Sequence, residues 1–314
     1  MGCSGSIVIV TFNSAAHIEA CLQSVRSSGW EVIVVDNGST DDSVARARAF
    51  PDLVVLTNSQ NRGFAAAANQ GVKAARGDWV LLLNPDAAAE PGALDALTSV
   101  ASEVNAEAAG GRLLNPDGTT QVGFTLRRLP RLPDMLAEVL LLNRVFPRNP
   151  WNRRYRCLDM SCEVAAEVEQ PAGACLLVKR QVWEELGGMD ESFFPLWFED
   201  VDFCRRLRQR GGRIVYAPQA RFRHRGAHSV KSLPAAERQL AWYRNLLRYF
   251  RKHHGLVAAA ILRLGIVAGA LLRLLATAIG ARPETGTRAE AIHACAGVVR
   301  WSLLGETTAT AVRA

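Results

Sequence analysis

The sequence has no CxxC pair among its seven cysteines, and the closest spacing is Cys157 to Cys162. That odd number fits neither a disulfide framework nor a common zinc pattern, so the thiols read as reduced. Neither a GxGxxG nor a GxxxxGK[ST] stretch occurs, which removes the dinucleotide fingerprint and the P-loop as ways of holding phosphate. No basic segment followed by an apolar run opens the chain, since residues 7–10 are only a strand's worth; this reads as a chain without a secretory signal. Met1-Gly2-Cys3-Ser4-Gly5-Ser6 formally matches a myristoylation signal, but a core strand starts at once.

Acids are almost missing from residues 204–254, which hold 14 Lys/Arg and only Glu237. That imbalance predicts an anionic partner for the C-terminal third. The interleaved rings of Phe222, Trp242, Tyr243, Tyr249 and Phe250 could serve nucleic acid, yet their helical spacing favours a packing or membrane-facing stripe. Nucleic acid is not an expected partner. A long uncharged run is lacking as well: Arg263 and Arg273 interrupt residues 256–281, leaving uncharged stretches about half a bilayer span long. An interfacial or bundle helix is expected there, and the basic segment before it suits anionic lipid headgroups.

What is present indicates a large globular domain with an appendage: 314 residues, 49% hydrophobic and 21% charged. Apolar runs at residues 6–11, 32–36, 53–57 and 79–83 read as strands. Helical segments alternate with them: residues 15–28 capped by Ser14, a helix with Asp41 and Asp42 in its first turn, and residues 64–76. Pro91 begins a further helix to about Ser102. The alternation predicts parallel βαβ units in a doubly wound, Rossmann-like sheet, whose ligands bind beyond the carboxyl ends of the strands. Each strand there ends in a polar group: Thr11 and Asn13, Asp36, Asn58 and Asn61, then Asn84 and Asp86. Residues 123–170 read as an excursion over the sheet edge, residues 173–178 resume the core, and residues 213–216 and 221–224 read as two short strands.

Residues 193–202, Phe-Phe-Pro-Leu-Trp-Phe-Glu-Asp-Val-Asp, set five large apolar side chains against three carboxylates. Helix-forming residues follow as far as Gln209, and Gly211-Gly212 supplies a stop, so Glu199 and Asp200 fall in a first helical turn. On the wheel Asp200 lies at the centre of the face of Phe203, Cys204 and Leu207. Asp202 meets Arg205 and Arg206 at the spacing of a surface ion pair. An inward acid without a local partner marks a catalytic centre, and the apolar run before it is expected to exclude water.

In order along the chain, Ile7-Val8-Ile9-Val10-Thr11-Phe12-Asn13-Ser14, Val34-Val35-Asp36-Asn37-Gly38-Ser39-Thr40-Asp41, Asn61-Arg62-Gly63-Phe64-Ala65 with Asn69 and Gly71, Leu83-Asn84-Pro85-Asp86, and Gly187-Gly188-Met189-Asp190 through Glu199-Asp200 resemble a family 2 glycosyltransferase, its bacterial rhamnosyltransferase-like branch in particular. The resemblance implies a GT-A fold over residues 1–232, with 123–170 on the acceptor side, and a basic, amphipathic helical tail over 233–314. It implies a nucleotide-diphosphate sugar donor, such as dTDP-rhamnose, and a saccharide or lipid-linked saccharide acceptor. It further implies Mg2+ or Mn2+, inversion at the anomeric carbon, and a cytoplasmic enzyme peripheral to the inner face of the membrane, with a role in cell-envelope polysaccharide synthesis.

Carried over residue by residue, Asp86 matches the last acid of the family's DxD motif and His224 its late histidine, as the metal or diphosphate site. Asn84 stands in place of the first DxD acid. Asp36, with Thr11 and Asn13 beside it, would hold the nucleotide base, and Arg62 would approach base or phosphate; Asn61 and Asn69 belong to the same donor set. Asp200 would be the base, Glu199 its support, and Gly173-Ala174 a point of close backbone approach to donor or acceptor. A non-catalytic nucleotide-sugar binder or scaffold of the same fold is the alternative, with Asn84 as its motif-level hint. A sugar nucleotidyltransferase is disfavoured, because its Gly-rich loop is missing from the first strand-to-helix turn.

Overall fold

The computed structural model describes residues 5–226, 234–280 and 287–304. His228 of the late histidine motif and the last ten residues of the tail lie outside them. The chain forms two compact units. The first comprises Met1–Leu129, Arg156–Pro195 and Glu199–Ser229; the second comprises Pro130–Tyr155, Leu196–Phe198 and Val230–Ala314. The expected excursion is therefore divided: residues 130–155 cluster with the tail helices, and the remainder stays with the sheet.

In the first unit, four β/α steps run β1 (Gly5–Thr11), α1 (Ile18–Val25), β2 (Glu31–Asp36), α2 (Ser43–Arg48), β3 (Leu53–Thr57), α3 (Phe64–Ala74), β4 (Trp79–Leu83), β5 (Ala87–Ala89) and α4 (Ala93–Glu103). Then come β6 (Ala108–Leu114), β7 (Leu126–Arg127), β8 (Ala166–Glu167), β9 (Gln170–Pro171), β10 (Cys175–Lys179), α8 (Arg180–Glu185), α9 (Glu199–Gln209) and β11 (Ile214–His224). The main sheet has the order β3-β2-β1-β4-β10-β6-β11-β5, with β8 on β11, while β7 and β9 form a separate ribbon. Strands β1 to β4 are parallel; β10 runs antiparallel between β4 and β6, and β5 antiparallel to β11. Successive residues of β1 feed opposite faces. Ile7 and Ile9 join Ile18 and Leu22 of α1 and Leu97 of α4, whereas Val8 and Val10 join Ala68 and Val72 of α3 and Phe203, Cys204 and Leu207 of α9. Burial on both faces is why the strand is a continuous apolar run.

Several expectations give way. Ser14 does not cap α1, which starts at Ile18; its hydroxyl donates to the carbonyl of Phe12. Asp41 and Asp42 precede α2, where the Asp41 carboxylate accepts the Ser43 N–H at 3.0 Å. The two short strands expected after α9 are one strand, β11, with an irregularity between Ala217 and Arg221. Asp202 is paired with Arg206, at 2.7 Å, but not on the surface: it is fully buried, and the same guanidinium donates to the carbonyls of Leu186 and Gly188. Removing one partner from a buried pair strands the other charge. Asp202→Ala is expected to lower unfolding stability by about 3–5 kcal/mol, read from urea denaturation.

The second unit contains α5 (Leu132–Val139), α6 (Leu142–Val145), α7 (Pro150–Tyr155), α10 (Ala235–Ala278) and α11 (Arg288–Leu304). Asp134, buried in the first turn of α5, accepts from the Arg131 N–H at 3.0 Å and from Arg154 at 2.7 Å. Gly255, at φ 84°, breaks α10 into two segments. The first buries Tyr243, Tyr249 and Phe250, so these rings serve packing: Phe198 lies 5.8 Å from both Trp242 and Tyr249, and Asn245 donates to the Leu196 carbonyl. In the second segment a Cβ on Gly269 would lie 1.9 Å from the Val139 carbonyl oxygen, so only glycine permits this approach of α10 to α5. By length and composition, Ala236–Ala278 could cross a membrane.

Candidate active site

The carboxyl ends of the parallel strands lie along one edge, as the register Thr11 to Asp36 to Thr57 shows. Asp36 is buried. One of its oxygens accepts the N–H groups of Gly38 and Ser39 at 3.2 and 3.1 Å, while Oδ1 has no partner among the described residues. Thr11 beside it is equally buried, and its hydroxyl is also unpartnered. Two orphaned polar groups side by side at a strand edge are expensive unless a ligand satisfies them. Asn13, at φ 51°, accepts the Thr40 N–H at 2.8 Å and so shapes the turn after β2. Asn61 accepts from the Asn37 amide at 2.9 Å and from the Gly63 N–H at 2.8 Å. Asn37 also donates to the Gly63 carbonyl and accepts the Arg62 N–H, while the Arg62 side chain is exposed. Asn69 is engaged elsewhere, with Met189 N–H and C=O at 2.9 Å each and with Glu191 at 3.0 Å, so it ties α3 to the loop after α8.

Asp86 and His224 come together although 138 residues separate them, because β11 pairs with β5 and sets His224 opposite Ala87. The His224 Nε2 lies 3.5 Å from Asp86 Oδ1, and both side chains are buried. Burial raises the Asp86 pKa, but the hydrogen bond and charge of His224, with a smaller contribution from His17, outweigh it and hold the carboxyl below its ordinary value. His224 is fixed by Gln121, which meets Nδ1 at 2.9 Å and donates to the backbone carbonyl at 2.7 Å, and by Phe124 stacked 5.3 Å away. Asn84 has an intermediate exposure, and its backbone N–H donates to the Ala174 carbonyl at 3.0 Å.

Glu199 and Asp200 begin α9, as the glycine stop and wheel predict. Asp200 Oδ1 accepts the Val201 N–H at 2.8 Å; Oδ2 accepts the Gly173 N–H at 3.1 Å and the Gln170 amide at 3.2 Å. A Cβ on Gly173 would lie 2.9 Å from Oδ2, so the close backbone approach expected of this glycine is made to the carboxylate itself. Gly173 and Ala174 thus stitch the two acid-bearing segments together, one through Asp200 and the other through Asn84. Burial raises the Asp200 carboxyl, opposed by the N–H groups of Val201 and Gly173 and by the charge of Arg127. Glu199 is pushed well above the carboxylate range, by burial first and by Asp200 second, and its Oε2 is unpartnered among the described residues. The apolar run ahead of them divides: Phe193 is fully buried, whereas Phe194 is half exposed.

Gln170, Gln121, Phe124, Arg127 and Asn37 are the residues that sequence reasoning missed. Only Asn37, which follows Asp36 directly in the Val34–Asp41 motif, carried a signal; the others sit in or beside the ribbon β7–β9, too short to show a periodicity. Gln170 is buried, and its amide reaches the oxygen that Gly173 also holds. A hydrogen bond to the ionised form lowers a carboxyl pKa. Gln170→Leu should therefore move the acidic limb of a kcat/KM profile to higher pH. The other groups facing Asp200, namely Glu199, Arg127 and Cys204, stay in place in that variant.

A mixed, mostly parallel sheet with acids from the β4 and α9 segments at its carboxyl edge defines the GT-A class of glycosyltransferases. The chain belongs to glycosyl transferase family 2, whose profile matches residues 6–162, and that of glycosyl transferase family group 2 matches residues 154–303. It is a hexosyl-type glycosyltransferase. It is 33% identical over 278 residues to the N-acetylglucosaminyl-diphospho-decaprenol L-rhamnosyltransferase of Mycobacterium tuberculosis, covering 77% of this chain and 87% of that enzyme. In fold it is similar to a mannosyltransferase from Pyrobaculum calidifontis solved with GDP-Man and Mn2+ (TM-score 0.55, 17% identity, 96% of this chain and 88% of that one). It is likewise similar to S. aureus TarS 1–349 solved with UDP-GlcNAc (TM-score 0.52, 16% identity, 97% and 93%).

Proposed function

We propose that the enzyme transfers a sugar, with inversion, from a nucleoside-diphosphate donor to a lipid-linked saccharide at the cytoplasmic face of the membrane, in the synthesis of a cell-envelope polysaccharide. Rhamnose is the sugar that the Mycobacterium tuberculosis relative's name supports, and dTDP-rhamnose is the donor that the family resemblance implies. The observation that carries the reading is the cradle of Asp200: a carboxylate with a raised pKa, fixed by three donors and adjoining the Asn84–Asp86 segment.

The two oxygens of that carboxylate differ in their hydrogen bonds, which supports separate tasks for them. Among the described residues, Oδ2 has both lone pairs engaged by Gly173 and Gln170, whereas Oδ1 accepts only Val201 and keeps one open. Oδ1 is therefore the atom that takes the proton from the acceptor hydroxyl as that oxygen attacks the anomeric carbon from the side opposite the leaving diphosphate. Glu199, held toward its neutral form, leaves Asp200 as the ionised member of the pair, two environments setting two roles. At the other end, the orphaned Asp36 Oδ1 accepts an N–H or O–H of the nucleoside, and Thr11 completes that contact.

Asp86 would offer a carboxylate oxygen, and His224 an imidazole nitrogen, to a divalent cation. Among the described residues no group of three or more His, Cys, Asp or Glu side chains is arranged to hold a metal. Asp86 and His224 are the two residues that would hold the ion, so the remaining ligands would have to come from the substrate and water. When bound, Mg2+ or Mn2+ neutralises the charge that develops on the leaving diphosphate. The test is a donor panel with purified protein: sugar release or transfer from dTDP-rhamnose supports the reading. Donor binding with neither transfer nor hydrolysis for any nucleotide sugar would favour the non-catalytic binder that Asn84 hints at.

A further inference from the structure

The second segment of α10 has two apolar faces. Leu262, Ile266 and Ala270 are buried, and Gly265 and Gly269 pack against Leu136 and Val139 of α5. The opposite side carries Val257, Ile261, Leu264, Leu271, Leu275 and Ile279, at the three-, four- and seven-residue spacing of one helix face. All are exposed, from 43% at Ile261 to 79% at Ile279. No charge interrupts this stripe, since Arg273 is turned to the Val139 carbonyl and Arg263 lies beside it, half-buried. It runs about 35 Å, a length of open hydrocarbon that a soluble surface does not ordinarily present.

Charge partitions between the units in the same sense. The residues of the second unit include 17 Lys/Arg against six Asp/Glu, whereas the rest of the chain has 20 against 24. We propose that this stripe docks the second unit on an anionic bilayer surface, with residues 256–279 lying in the plane of the interface rather than crossing it. Crossing is opposed by what the helix is packed on. α5 opens with Arg131 and Asp134, and α11 exposes Arg288, Glu290 and Arg300, all of which would be drawn into hydrocarbon with it. A second copy of the chain is a poor occupant, because two such positively charged units repel.

The proposal rests on the lipid-linked acceptor for its purpose and on the second unit's surface for its content. Full-length protein is floated with phosphatidylcholine vesicles with and without phosphatidylglycerol, and thermal shift with dTDP is measured on the same samples. The parent is expected to float with the anionic vesicles. The triple variant Leu264→Glu, Leu271→Glu, Leu275→Glu should lose at least about tenfold in partitioning with an unchanged thermal midpoint, and Arg251→Gln with Lys252→Gln should lose about fivefold per charge on anionic vesicles. A parent that stays in solution, a triple variant that floats like the parent, or a bound parent that resists alkaline carbonate extraction would each overturn the proposal. So would a triple variant that turns a dimer into a monomer, since the stripe would then be covered by a second copy. Nucleotide binding needs no vesicle, so loss of the dTDP shift counts against the transferase reading and leaves the docking result standing.

Discussion

Asp200→Asn is expected to lower kcat by about 10²–10⁴-fold, the range for loss of a general base, while donor affinity stays within about twofold of the parent. The substitution keeps the shape of the side chain, but the cradle dictates how the amide sits. Gly173 and Gln170 both donate toward Oδ2 and only Val201 toward Oδ1, so the amide oxygen faces the two donors and the NH2 group takes the Oδ1 position at the cost of the Val201 bond. A donor then confronts the acceptor hydroxyl where an acceptor is required. Single-turnover transfer separates this from impaired binding, because saturating donor does not restore the rate. A variant that transfers at the parental rate would move the base elsewhere, with Glu199 the next carboxyl in line. Gly173→Ala approaches the same result from the backbone, since its methyl group would press on Asp200.

The elements legible in the sequence are those whose conformation a single physical effect decides. Ile7 to Val10 had to be a strand buried on both faces, and Gly211-Gly212 had to end α9, which placed Asp200 in its first turn. Strand β6 escaped because Ala108-Ala109-Gly110-Gly111 has neither bulk nor β-branching. Its glycines answer to tertiary crowding instead: a Cβ on Gly110 would lie 2.1 Å from Pro171, and one on Gly111 would lie 2.6 Å from Phe222. The missed site residues have the same cause. Gln170, Gln121 and Phe124 act only through partners 30 to 103 positions away, and no local periodicity records such a pairing. Asp202 shows the reverse error: its i,i+4 spacing to Arg206 was legible, but its full burial depended on the loop at Leu186 and Gly188.

Asp86→Ala is expected to remove the metal dependence of nucleotide binding. In the parent, Mn2+ with excess dTDP at roughly a hundred times Kd should stabilise the fold by about 2.7 kcal/mol, a midpoint rise of roughly 4 °C for a protein of this size, and a chelator should reduce it. In the variant the two conditions should coincide, because the buried carboxylate that faces His224 is gone and the histidine alone offers one neutral ligand. An equal nucleotide shift with and without chelator in both proteins would sink the assignment of Asp86. Asn84→Asp supplies the converse. It restores the first acid of the motif beside Asp86 on a segment whose backbone is already fixed by Ala174, so it should tighten Mn2+ binding without altering the metal-free affinity. Tighter metal binding after Asn84→Asp, together with its loss after Asp86→Ala, would mean that the neutral residue weakens the site without abolishing it, which separates a working transferase with low metal affinity from a binding protein that has lost its chemistry.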